Sequence, residues 1–91
     1  MLIVCYDISD DKIRTNFADF LLRFGYRLQY SVFEIRNSER ILKNIKTEIE
    51  NTYAAHFTET DSIIIFDLSE TCKKICYGYA KHNDEDFILV G

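Results

Sequence analysis

Two short, almost unbroken apolar runs constrain this chain more than anything else in it: LIVCYD at 2–7 and SIIIFDL at 62–68. Each is rich in β-branched residues and free of glycine and proline, the pattern of a strand buried on both faces. A strand is therefore expected over 1–7 and another over about 62–68. Sheet built from such strands has to be covered, and the intervening sequence supplies the cover. From Asp10 to Phe24 the apolar residues Ile13, Phe17, Phe20, Leu21 and Phe24 recur at helical spacing, with Ser9 or Asp10 as N-cap and Gly25 as C-cap. A second helix is expected over about 39–53, capped by Asn37 or Ser38, with Ile41, Leu42, Ile45, Ile49 and Tyr53 on one stripe.

Between these helices the run YRLQYSVFEIR at 26–36 reads as β with a slip in phase. Leu28, Tyr30 and Val32 share one parity, whereas Phe33 and Ile35 share the other. A regular strand cannot turn both sets to one core, so a bulge, sharp bend or switch of strands is expected near Val32 and Phe33. After the 62–68 strand, Ser69 is expected to cap a short helix through Lys74, and 75–79 fits either helix or strand. The polar stretch 81–86 reads as a linker before a final apolar strand, FILV. This order gives an α+β sandwich of the ferredoxin-like type, with helices on one face of an antiparallel sheet. The domain spans 1–80, and 81–91 adds a strand that completes a sheet edge, expected to be exchanged with a partner chain in a homodimer.

Ninety-one residues suffice for one compact core. No apolar run reaches 18 residues, and the N-terminus turns acidic too soon for a signal peptide, so a cytoplasmic protein without membrane contact is expected. The three cysteines, Cys5, Cys72 and Cys76, are an odd number and suggest reduced, buried thiols, the last two at i, i+4 on a short helix. With His56 and His82 they do not match zinc-ligand spacing. Net charge is −4, yet all five arginines lie in residues 1–50, where eight basic residues face eight acidic ones. An arginine-bearing face on an acidic body remains compatible with nucleic acid, because the guanidinium fork suits phosphate. Solvated surface charge explains the same composition. The sequence has no Gly-rich phosphate loop and no glycine–aromatic RNA-recognition signature.

The chemistry concentrates in CYDISDDKIR at 5–14. Asp10 and Asp11 fall in the first helical turn, where carboxylates suit the helix dipole and reach Arg14. Asp7 instead closes a buried strand beside Tyr6. It is either an acceptor for the following turn or a ligand for a divalent metal, since Mg²⁺ takes one or two carboxylates together with waters and phosphate oxygens. Tyr6 and Phe33 fit the core, although a tyrosine beside a catalytic carboxylate is placed to position water.

The combination of YDISDDKIR, FGYRLQYSVFEI and two further apolar strands resembles the small CRISPR-associated endoribonuclease family, the lesser of the two subunits that capture new spacers. The resemblance is closest over 2–36, where QYSVFE at 29–34 and the Tyr6–Asp7 pair carry it, and continues in register through Leu68. It implies a homodimer of ferredoxin-like fold in which Asp7 binds Mg²⁺, one ion shared per dimer. It also implies Asp7 and Tyr6 as catalytic residues, and Arg14, Arg27 and Phe33 as nucleic-acid-binding positions. Asn16 stands where some relatives carry a second arginine, which removes one phosphate contact. The implied activity is a Mg²⁺-dependent endonuclease acting on RNA or DNA. The implied partners are a CRISPR integrase subunit, which the dimer would bridge, and the backbone of DNA and possibly RNA. An mRNA interferase toxin of the virulence-associated type, similar in fold and in its strand-one aspartate, is the alternative.

Overall fold

The structure is a computed structural model that describes residues 1–68 and 72–79. Its elements run β1 (Leu2–Asp7), α1 (Asp11–Leu21), β2 (Gly25–Gln29), β3 (Val32–Ile35), α2 (Glu39–Glu48), β4 (Ser62–Asp67) and β5 (Lys73–Gly78). The strands form one antiparallel sheet in the order β2-β3-β1-β4-β5. The first four strands with their two helices reproduce the expected ferredoxin-like arrangement, and β5 extends the sheet beyond β4. The expected linker at 81–86 and the FILV strand lie outside the described residues.

The two apolar runs become the neighbouring strands β1 and β4, joined by a six-residue ladder from Leu2↔Asp67 to Asp7↔Ser62. They are not buried equally on both faces. Leu2, Val4 and Tyr6 on β1 and Ile63 and Ile65 on β4 are buried, whereas Ile3, Cys5, Ile64 and Phe66 are only partly so. The buried set faces the helices, which contribute Phe17, Ala18, Leu21, Ile45 and Ile49 to the same core. Phe17 is the pivot of this cluster, edge-on to Tyr6 at 5.3 Å and to Tyr53 at 4.9 Å. Each fully buried aliphatic or aromatic side chain of this kind contributes about 1.5–3 kcal/mol.

Several boundaries differ from expectation for identifiable reasons. Asp10 is the N-cap of α1, its carboxylate accepting the Ile13 N–H at 2.9 Å, and Ser38 caps α2. Yet α1 stops at Leu21, because the chain tightens through Arg23 N–H to Phe20 O and Phe24 N–H to Leu21 O. Gly25 is accordingly not a helix cap. It opens β2, where a Cβ would lie 1.9 Å from the Glu34 carbonyl oxygen. Where a bulge, sharp bend or switch of strands is expected near Val32 and Phe33, the chain forms a hairpin, with its register shift between Arg27 and Gln29 and a turn at Tyr30 and Ser31, upstream of that position. That shift resolves the phase conflict: Phe33 and Ile35 are buried, while Leu28 and Tyr30 are exposed. The second helical segment continues past α2 as a π turn, Ile49–Tyr53, and a short 3₁₀ turn, Ala54–His56, which keeps Ile49 and Tyr53 in the core.

The expected helix from Ser69 through Lys74 is corrected at Lys73 and Lys74, which open β5, whose six residues pair with the whole of β4, while the expected cap Ser69 lies outside the described residues. Pairing the β4 edge outweighs the weak local helical signal. Cys72 and Cys76 are therefore not one helical turn apart: Cys76 is buried on β5, while Cys72 precedes the strand, exposed and at a positive φ of 47°. Tyr77 reaches back from β5 to the π turn, its hydroxyl donating to Glu50 at 3.0 Å. Burial and that carboxylate push its phenol up to about 12.

Candidate functional site

The predicted site residues come from the end of β1, the start of α1 and the β2–β3 hairpin, and the fold divides them between the two sheet faces. Alternation along β1 turns Tyr6 toward the helices and Asp7 to the opposite face, alongside Ile3 and Cys5, where no helix packs among the described residues. Asp7 is exposed and pairs with Ser62 of β4. Among the described residues, no group of three or more His, Cys, Asp or Glu side chains is placed to hold a metal. Each chain thus offers one carboxylate at this position.

On the helix face, Tyr6, Arg14, Thr15, Asp19, Arg27 and Tyr30 line a cleft of about 260 Å³ between α1 and the hairpin. The ring of Tyr6 stacks on Phe33 at 6.1 Å, and its hydroxyl points to the Tyr30 carbonyl oxygen at 3.5 Å. Burial pushes the Tyr6 phenol up, with the Arg27 charge and hydrogen bond opposing it. The Arg27 guanidinium lies 5.2 Å from the centre of the Phe33 ring, a cation–π contact that fixes an otherwise exposed side chain. Phe33 itself is fully buried, so it is not available to contact a ligand and instead supports the Arg27 guanidinium.

Arg14 is committed to its own chain more than the sequence suggests. Its Nη1 donates to the Ile8 carbonyl at 3.0 Å and approaches that of Ser9, while Nη2 pairs with Asp11. That carboxylate holds the guanidinium pKa higher still. Arg14 therefore braces the loop that follows Asp7, and its side chain is 26% exposed. Arg27 is the less committed cation of the cleft.

Asp61, which the sequence reading missed, secures the same loop. It is 1% exposed, and its carboxylate accepts from the Ser9 N–H at 3.0 Å, the Ser9 hydroxyl at 2.9 Å and the Thr58 N–H at 3.0 Å. Burial raises its pKa, but the hydrogen bonds from Thr58 and Ser9 outweigh it and hold the carboxyl below the usual range. The signal available was the polar run TETD immediately before an apolar strand, a setting for a self-bonded turn.

With this geometry in place, comparison with known proteins is direct. The family profile for CRISPR associated protein Cas2 matches residues 1–75. The chain belongs to the Cas2 family. It is 39% identical over 72 residues to a CRISPR-associated endoribonuclease Cas2 of Methanospirillum hungatei, a match covering 79% of this chain and 76% of that protein. Identity to a Synechocystis Cas2 endoribonuclease is 35% over 69 residues, 76% of this chain and 72% of the relative. A Cas2 endoribonuclease of Mycobacterium tuberculosis aligns over 89 residues, 97% of this chain and 75% of that protein, at 31% identity. The Cas2 match spans β1 to β4 and enters β5, so it includes Asp7, the cleft and the loop that Arg14 and Asp61 hold.

Proposed function

We propose that this chain acts in CRISPR spacer acquisition as a homodimer that bridges integrase subunits, binds nucleic-acid backbone and cleaves phosphodiester bonds in a metal-dependent reaction. Membership in a family whose curated relatives are named endoribonucleases supports the nuclease part. The observation that carries it is Asp7, an exposed carboxylate at the end of a central strand, on the sheet face that no helix covers among the described residues. Twofold pairing of that face sets two Asp7 carboxylates against each other. The donor set fits Mg²⁺, which commonly takes one or two carboxylates and fills its remaining positions with waters and phosphate oxygens. When bound, Mg²⁺ supplies Lewis-acid stabilisation of the phosphodiester and a water of lowered pKa.

The chain's own residues do the remaining work. Asp7 of each subunit holds the shared site, and its position is set by the following loop, which Arg14 clamps through the Ile8 and Ser9 carbonyls and Asp61 through Ser9. Arg27, supported on Phe33 beside Tyr6, offers a guanidinium to backbone phosphate. Tyr6 is a positioning residue: it is buried beneath that cation and orders the hairpin through Tyr30.

The deciding comparison is wild type against Asp7→Asn and Asp7→Ala for Mg²⁺-dependent cleavage of labelled RNA and duplex DNA, with binding to an integrase subunit measured in parallel. Both variants are expected to lose roughly two orders of magnitude in cleavage rate while retaining fold and integrase binding. Equal cleavage by the variants removes the nuclease assignment, and failure to form a complex with the integrase removes the bridging role.

A further inference from the structure

Three of the five arginines take no part in the cleft described above. Arg23 follows α1, Arg36 follows β3 and Arg40 sits in the first turn of α2, and together they line a groove of about 430 Å³ with Ser38 and Asn44 over Phe24. Among the described residues, no carboxylate lines the groove and none of the three arginines has an ion-pair partner. In a chain with a net charge of −4 and 15 acidic residues, three arginines lining one groove with no carboxylate among its described lining residues offer a cationic surface.

Fold stability does not explain the cluster. Arg23 near the end of α1 suits the helix dipole, but Arg40 lies at the positive end of α2, where a cation is unfavourable. The backbone nevertheless fixes the group: Arg36 N–H donates to the Phe24 carbonyl at 3.0 Å, joining the end of β3 to the end of α1. All three side chains are exposed.

We propose that Arg23, Arg36 and Arg40 form a second phosphate-contact site for duplex DNA, separate from the cleft at Arg27. The inference rests on the nucleic-acid-binding function proposed above. Contacts of this kind are sequence-independent and carry a salt signature, because each phosphate neutralised releases condensed counterions.

The test is the salt dependence of binding to a duplex of about 20 base pairs, measured by fluorescence anisotropy for wild type, R23Q/R36Q/R40Q and R23K/R36K/R40K. The glutamine variant is expected to flatten the slope of log affinity against log salt by about 2–3, with affinity at low salt reduced at least tenfold. The lysine variant, which retains the charge, should keep most of the slope. Thermal melts equal to wild type confirm that these exposed substitutions leave the fold intact. If wild type binds duplex and the glutamine variant keeps its slope, this inference falls alone. If wild type binds neither duplex nor RNA at low salt, the inference falls together with the nucleic-acid-binding function.

Discussion

At the scale of single residues, the acidic stretch 7–11 separates into distinct roles. Asp10 caps α1, Asp11 pairs with Arg14 and Asp7 is exposed on the sheet face opposite α1 and α2. The carboxylate under greatest structural demand is Asp61, distant in sequence, which holds the loop after Asp7 through three close acceptor contacts. Because its folded pKa lies below that of the unfolded chain, its contribution is present above the unfolded carboxylate range near pH 4 and is lost as pH falls through the folded value. Asp61→Asn replaces one acceptor oxygen with a donor and removes the charge. Denaturant melts at pH 7 should show a loss of about 2–4 kcal/mol, with the gap to wild type narrowing in acid. A gap independent of pH would show that the carboxylate's charge is not what the loop uses.

At the scale of elements, the β2–β3 hairpin is the most tightly specified unit outside the central strands. Gly25 allows the chain leaving α1 to pass against the Glu34 carbonyl, and the register shift after Arg27 turns Phe33 and Ile35 inward. Since the obstruction at Gly25 is backbone, no side-chain movement relieves it. Gly25→Ala is expected to cost about 3 kcal/mol or more and to free β2 from the sheet edge. Hydrogen exchange would register this as lost protection in 25–29 with β1 and β4 still protected. Preserved protection with wild-type stability would contradict the close approach. The same element supports Arg27 over Phe33, so its loosening should weaken nucleic-acid binding as well.

At the scale of the whole molecule, the asymmetry of the sheet matters most. One face packs on both helices, while the other presents the partly buried Ile3, Cys5, Val32 and Ile64 in a band that includes Asp7. Burial of this band between two copies follows from the proposed homodimer, and it is what would bring the two Asp7 carboxylates together. Ile64→Glu, at the middle of β4, is therefore expected to convert the dimer to monomer by light scattering and to abolish Mg²⁺-dependent cleavage in step, without unfolding the subunit. A dimer that survives the substitution would place the subunit contact elsewhere.

The central strands, the two helices with their polar N-cap segments and the layered α+β class were legible in the sequence, because apolar period and N-capping chemistry are local properties. The sequence also singled out Asp7, through its position at the end of an apolar strand and the family resemblance of that segment. Only the tertiary structure decided what depends on contacts distant along the chain. Residues 73–78 form β5 because the edge of β4 is available to them, Gly25 serves a strand because Glu34 lies against it, and Asp61 matters because Ser9 folds onto it. The division of the site follows the same rule. Tyr6 and Asp7 are adjacent in sequence, but the pleat sends them to opposite faces of one sheet, with the arginine cleft on one side and the carboxylate on the other.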